Sequence, residues 1–215
     1  MKSSKLIGIL FISLSLVISS CKKKKDDEVA VEDPANLPLS IDALLQTSFT
    51  LDGTVISFTS ANPDYTASNG AGGSLGTGGS SSTKRYYDSF VGVFTNSVGV
   101  SITKGTLTVA SGYPGNTAFY NFFQPGAVSF SPVGMSGQPN GIIVSYFDGS
   151  TNWSTASGTG NQAGSNFSIV ESQNITAQLD YTMKVYAVFN CKLYSSSGDV
   201  KTLTNGSFVG TFINI

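Results

Sequence analysis

The chain has no histidine among its 215 residues, and it has only two cysteines, one tryptophan and 12% charged residues. The absence of histidine excludes Ser-His-Asp and Cys-His catalysis and the usual zinc sites. Beyond residue 40 there are six basic and eight acidic side chains, which is too little positive charge for a nucleic-acid surface. We therefore expect no nucleic-acid partner.

The scarcity of carboxylates argues against catalysis as well. A glycosidase needs two carboxylates that flank the scissile bond, but Glu171 is the one glutamate beyond residue 40, and the aspartates there mostly lie beside turn residues. The segment from Asp148 to Asn152 has oxygen ligands at alternate positions, yet it lacks the distal glutamate of a calcium loop. We expect no enzyme, no metal and no cofactor, and a glycan-active hydrolase is the least favoured alternative.

Residues 1–20 have the pattern of an export signal. Lys2 and Lys5 precede an apolar run from Leu6 to Ile18. Thirteen helical residues span about 20 Å, which is short of the hydrocarbon core of about 30 Å, so the pattern favours a cleaved signal over a transmembrane helix. Ile18-Ser19-Ser20-Cys21 resembles the lipobox of bacterial lipoproteins. This resemblance implies that Cys21 carries lipid and anchors the protein in a membrane; the alternative is an ordinary signal with an incidental cysteine.

Residues 21–40 form a charged spacer in this interpretation. A flexible chain of about 20 residues has a root-mean-square reach of about 25 Å. Lys25-Asp26-Asp27-Glu28 is similar to the acidic export signal of surface lipoproteins of Bacteroidota. The resemblance implies a lipid-anchored protein of the outer membrane that faces the exterior, and the periplasmic face is the alternative.

Residues 41–215 are long enough for one domain with a sizeable core. Short segments rich in aromatic and β-branched residues alternate with turn residues, and Ala118–Phe123 is included among the expected strands. The pattern predicts an all-β fold, a single antiparallel β-sandwich, and it leaves Ig-like and jelly-roll topologies open. Cys191 alternates with Phe189 and Leu193, which predicts a buried, unreactive thiol.

The clearest hairpin is predicted at residues 47–60. Asp52-Gly53 is a strong signal for a two-residue turn. Pairing of Leu51 with Thr54 and of Phe49 with Ile56 would place four apolar side chains on one face of the hairpin, namely Phe49, Leu51, Ile56 and Phe58. The hairpin therefore predicts one core face and one wetter face.

Residues 60–83 are rich in glycine, serine and threonine. They lack the Gly-Lys-Ser/Thr sequence of a phosphate-binding loop, and no partner motif accompanies Ser81-Ser82-Thr83-Lys84 to make it a nucleophile. We predict a flexible surface loop over residues 60–83.

Three stretches of the sequence are similar to those of β-sandwich lipoproteins of Bacteroidota, namely Phe49-Thr50-Leu51-Asp52-Gly53, Gly141 to Trp153 and Cys191 to Phe208. The resemblance implies a fold and a location but no activity. We expect a non-catalytic binding module, with glycans as one class of ligand, and propose Tyr146, Asp148, Asn152 and Trp153 as binding residues because amphipathic rings beside Asp and Asn suit sugars. Two alternatives remain: both rings pack in the core, or the protein is a structural or adhesion protein that works through envelope protein contacts.

Overall fold

The computed structural model describes residues 40–76, 82–134, 139–176 and 181–215. Cys21 and the segment Lys25-Asp26-Asp27-Glu28 lie outside the described residues, so their predicted roles stay predictions. Within the described ranges no helix is both long and apolar enough to cross a membrane.

The described residues form eleven strands and one short helix. In chain order these are β1 Gln46–Leu51, β2 Thr54–Phe58, β3 Tyr65–Ser74, β4 Thr83–Val93, β5 Gly99–Val109, α1 Asn116–Phe122, β6 Gly126–Ala127, β7 Gly141–Phe147, β8 Asn152–Ser154, β9 Asn166–Asn174, β10 Thr182–Tyr194 and β11 Val200–Ile213. The predicted all-β class is confirmed.

The strands pair antiparallel in the order β2-β1-β11-β10-β8-β7-β5-β4-β3, and β9 pairs with β10 beside β8. This sheet curls over so that β3 and β4 lie against β1 and β11. The Asn69 amide of β3 donates a hydrogen bond of 2.8 Å to the Thr211 hydroxyl of β11, which joins the two layers. The result is the predicted antiparallel sandwich, made from one curled sheet.

A connecting segment closes the gap that this pairing leaves between β9 and β7. β6 pairs with β9, and the Val128 N–H donates to the Phe167 carbonyl at 3.0 Å. Two residues later along the chain, Phe130 forms a parallel bridge with Ile142 of β7. Residues 126–131 therefore act as an additional strand that joins two separated parts of the sheet.

The predicted hairpin at residues 47–60 is confirmed in its register and its turn. Leu51 pairs with Thr54 and Phe49 with Ile56. Asp52 and Gly53 both have positive φ, 48° and 88°, as a type I′ turn requires. Phe49, Leu51 and Phe58 are buried in the main core and Ile56 packs against it.

The predicted surface loop over residues 60–83 is wrong for Tyr65–Ser74, which form β3 and pair with β4 along ten positions. Glycine is needed here because the partner strand carries bulky groups close to the β3 backbone. A Cβ at Gly72 would lie 2.4 Å from the Tyr86 hydroxyl oxygen, and one at Gly73 would lie 2.0 Å from the Lys84 carbonyl oxygen. The glycines therefore permit close strand pairing. The surface-loop prediction was wrong because it took them as a sign of a flexible loop.

The predicted strand at Ala118–Phe123 is also wrong, since most of it lies in α1. Phe119, Phe122 and Phe123 recur at the i, i+3, i+4 spacing of one helical face. Phe119 and Phe123 are fully buried, and their rings lie 4.9 and 5.8 Å from that of Tyr87 in β4. Phe123 also packs on Phe212 of β11 at 4.6 Å. The helix thus fills the space between β4 and β11 with aromatic side chains.

Candidate functional site

The four proposed binding residues all lie in or beside the β7–β8 hairpin. Tyr146 pairs with Trp153 across the two strands. Asp148 begins the connecting turn, and Asn152 is exposed at the start of β8. The structure therefore brings together the residues that the sequence grouped.

The rings of Tyr146 and Trp153 are buried, which removes the proposed sugar-stacking face. Tyr146 meets the Phe49 ring edge to face at 5.4 Å. The Lys201 ammonium lies 4.4 Å from the centre of the Trp153 ring and covers it. The expectation that these rings bind a ligand is thus not supported by their geometry, and the alternative that both pack in the core describes them.

Asp148 has a structural role in this hairpin. Its carboxylate accepts hydrogen bonds from the Ser150 and Thr151 N–H groups at 3.0 and 2.8 Å and from Trp153 Nε1 at 2.8 Å. Desolvation opposes the charged form of Asp148, but these donors outweigh it and hold the pKa of the carboxyl below its usual value. The oxygens that a calcium ion would need are thus already used by the turn.

A different surface has the exposed aromatic rings that the β7–β8 hairpin lacks. Tyr113 and Tyr181 are 61% and 47% exposed, and both line an open cleft of about 330 Å³. Pro114, Asn116, Asn214 and Ile215 complete its lining. We call this surface the tyrosine cleft.

The walls of the tyrosine cleft are fixed by groups buried behind them. The Asn214 side chain donates to the Pro114 carbonyl at 2.9 Å and accepts from the Tyr87 hydroxyl at 3.1 Å. The Arg85 guanidinium of β4 lies 5.4 Å from the centre of the Tyr113 ring, and it donates to the main-chain oxygen of Ile215. Arg85 and Asn214 are both buried, so the lining of the cleft is held by side chains on its core side.

Tyr181 is held in an unusual backbone conformation. Its φ is 44°, a left-handed value that is rare for a bulky side chain. The Asn214 N–H donates to the Tyr181 carbonyl at 3.0 Å, which ties this residue to the end of β11. Strain of this kind is frequent at ligand-binding positions, and here it accompanies an exposed ring at the edge of a cleft.

A larger cleft of about 420 Å³ lies beside β6 and β9. Its two aromatic rings, Phe130 and Phe167, meet each other edge to face instead of facing solvent. The amide of Gln162 is engaged with the backbone of Lys192 at 2.7 and 3.0 Å. This cleft therefore lacks the exposed aromatic rings of the tyrosine cleft.

The interior holds one unexpected basic group. Lys104 of β5 is 7% exposed and lines an apolar void of about 10 Å³, room for about one water molecule. Its ammonium lies 4.3 Å from the centre of the Phe122 ring, and it forms no ion pair within the described ranges. Burial lowers the pKa of Lys104 to about 8. A void this small leaves no room for an organic ligand.

Cys191 is buried, and burial raises the pKa of its thiol, so the thiolate that reacts or binds metal is disfavoured. The residues that the structure describes contain no group of three or more His, Cys, Asp or Glu side chains placed to hold a metal ion.

Sequence reasoning missed both tyrosines of the cleft. Tyr113 lies in the turn sequence Ser111-Gly112-Tyr113-Pro114-Gly115, where an aromatic residue has no strand face to join. That position was a usable signal, because turns lie at the surface and a ring there must be exposed. Tyr181 offered no such signal, since it directly precedes the long alternating pattern of β10.

Comparison with known proteins gives no match to a protein-family model, to a curated protein or to a solved structure.

Proposed function

We propose that this protein is a lipid-anchored, non-catalytic binding module of the cell envelope, and that its tyrosine cleft binds glycans. The anchor is the lipid on Cys21, and Lys25-Asp26-Asp27-Glu28 directs the protein to the outer membrane and its external face. The observation that carries the binding proposal is the pair of exposed rings, Tyr113 and Tyr181, on one open cleft.

The chemistry of the cleft suits a sugar. A tyrosine ring offers an apolar face to the C–H groups of a pyranose and a hydroxyl at its edge. Asn116 adds an amide donor and acceptor for sugar hydroxyls. No histidine is available for catalysis, so the proposed role is recognition.

A glycan array probed with the full lipoprotein in detergent tests the binding proposal. We expect the wild type to bind a subset of glycans and the Tyr113→Ala variant to lose that signal. Phe94→Ala is the matched control, because Phe94 is an exposed aromatic residue outside the cleft. An array with no bound glycan, or equal signals from wild type and Tyr113→Ala, would contradict the proposal.

Export is tested separately in cells. Protease added to intact cells should remove the domain, and alanine in place of Asp26, Asp27 and Glu28 should protect it. Complete protection of the wild type would refute display on the surface.

One observation favours contacts with envelope proteins as a second candidate function. β3 stands at the end of the strand order and spans ten residues without proline or lysine. Proline and lysine are the residues that natural sheets place on edge strands to prevent pairing with other chains. Strand addition by a partner protein at β3 is the form that this function would take. Replacing the exposed Ser68 by lysine, which keeps the backbone N–H, should abolish capture of such a partner while glycan binding persists.

A further inference from the structure

The strongest unassigned surface lies where the described domain begins. Leu44 and Phe94 are 66% and 78% exposed, and they come from separate parts of the chain. Tyr65 connects these parts: its hydroxyl donates to the carbonyl oxygen of Leu45, and its backbone pairs with Val93. The Phe94 N–H in turn donates to the Asp64 carbonyl at 2.9 Å. We call this region, residues 40–45, 64–65 and 93–97, the entry end.

We propose that the entry end rests on the lipid bilayer, with Leu44 and Phe94 as the side chains that enter its interface. This inference rests on the anchored part of the proposed function, because the chain that precedes residue 40 leads to Cys21. Exposed leucine and phenylalanine side chains are those that bury in the boundary between headgroups and acyl chains.

Because the charged spacer of residues 21–40 links the domain to the lipid on Cys21, a weak apolar contact is sufficient to orient the domain on the membrane. A flexible chain of about 20 residues has a root-mean-square reach of about 25 Å. At that distance the effective concentration of the bilayer surface is on the order of millimolar. Two side chains that would not bind free vesicles can therefore hold a tethered domain in one orientation.

The exposed charged residues of the entry end are acidic, and the Lys184 ammonium that reaches it is held by the Ala43 carbonyl at 2.7 Å. Asp42 and Asp64 are exposed there. These carboxylates would be repelled by anionic lipids, so a zwitterionic surface is the partner that fits this chemistry.

The same orientation keeps the Tyr113 side of the tyrosine cleft away from a bilayer that Phe94 contacts. Arg85, which contacts the Tyr113 ring, lies near the start of β4, and Phe94 follows its last residue. Nine residues of extended strand span about 30 Å. The Arg85 end of β4, with the Tyr113 ring that it contacts, thus lies about 30 Å along the strand from Phe94, so that a glycan can reach Tyr113.

The test uses the full lipidated protein in phosphatidylcholine vesicles that contain a nitroxide-labelled lipid as a fluorescence quencher. A fluorophore is attached at Thr95→Cys, beside Phe94, or at Ser74→Cys, at the far end of β3. Both positions are exposed, and the native Cys191 is buried and does not compete for the label. We expect quenching at position 95, none at position 74, and loss of quenching at 95 when Leu44→Ser and Phe94→Ser are added.

Each outcome separates the two proposals. Equal quenching at both positions would contradict the proposed contact of the entry end with the bilayer. No quenching at position 95, while the protein stays on the vesicles, would contradict it too. Neither result would affect the proposal of a lipid-anchored binding module. Protein that remains in solution would refute the lipid anchor on Cys21, and with it the proposed contact of the entry end with the bilayer. Persistence of quenching in the Leu44→Ser, Phe94→Ser variant would show that these side chains are not the contact.

Discussion

Replacing Lys104 by methionine should stabilise the protein at neutral pH. The lysine lies in the aromatic core beside Phe122 and Phe123, and no carboxylate within the described residues lies close enough to pair with it. A buried ammonium without an ion pair is costly, and the Phe122 ring compensates for only part of that cost. Methionine has a similar length and volume without the charge, so the substitution leaves no large cavity.

The size of the effect follows from the pKa. Burial lowers the pKa of Lys104 from the usual 10.5 to about 8. At about 1.4 kcal/mol for each pH unit between the two values, the charged lysine destabilises the fold by roughly 3 kcal/mol at pH 7. The unfolded chain holds its proton up to its own higher pKa, so the unfolded state binds more protons between pH 8 and 10.5. Relative to Lys104→Met, in which this titration is absent, the free energy of unfolding of the wild type should therefore rise by about 2 kcal/mol from pH 8 to pH 10.

Urea denaturation of wild type and Lys104→Met at pH 7, 8, 9 and 10 measures both effects. Burial also raises the pKa values of Cys191, Tyr65 and Tyr87, which lowers the stability of both proteins equally above about pH 9. The quantity compared is therefore the difference in free energy of unfolding between the two proteins at each pH. The control is Lys184→Met, since the Lys184 ammonium donates to the Ala43 carbonyl at 2.7 Å and its loss should bring no gain. A Lys104→Met variant no more stable than wild type at pH 7, or one whose advantage over wild type does not shrink between pH 8 and pH 10, would refute this reasoning.

Three further predictions concern the turn, the β7–β8 hairpin and the anchor. Gly53→Val should lower the free energy of unfolding by about 1–3 kcal/mol in a denaturant titration, because φ of 88° is strained for a β-branched residue. Asp52→Asn should be nearly neutral, since it keeps the oxygen that accepts from the Thr202 N–H at 2.9 Å. Equal stabilities of the two variants would contradict the turn assignment. Asp148→Leu should lower the urea midpoint at pH 7 by leaving the Trp153 indole N–H without its acceptor; an unchanged midpoint would show that this bond contributes nothing. Cys21→Ala should move the protein from the membrane fraction to soluble or unprocessed pools, and unchanged membrane association would refute lipidation.

The parts of the fold that the sequence predicted are those governed by local rules. The Asp52-Gly53 turn fixes its own register, because positive φ at two successive residues restricts the choice of residues. The burial of alternate residues in β10, from Val185 to Leu193, follows from strand geometry alone. These features need no knowledge of the rest of the chain.

The predictions that were wrong concern segments whose structure depends on what packs against them. β3 looks like a loop in the sequence, and its glycines make sense only beside the Tyr86 ring and the Lys84 carbonyl. α1 is a helix of seven residues, too short to show a sustained period. The rings of Tyr146 and Trp153 were grouped correctly, but their burial is decided by Phe49 and Lys201, which lie far away in the chain.

The proposed role of the tyrosine cleft is tested most directly by an equilibrium titration. A glycan identified on the array is titrated into wild type, Tyr113→Ala, Tyr181→Ala and Phe94→Ala, and its dissociation constant is measured by calorimetry. We predict that each cleft variant binds about tenfold or more weakly, the effect of about 1.4 kcal/mol, and that Phe94→Ala binds like wild type. Affinities that stay unchanged in both tyrosine variants, or that fall equally in Phe94→Ala, would contradict the assignment of this cleft as the glycan site.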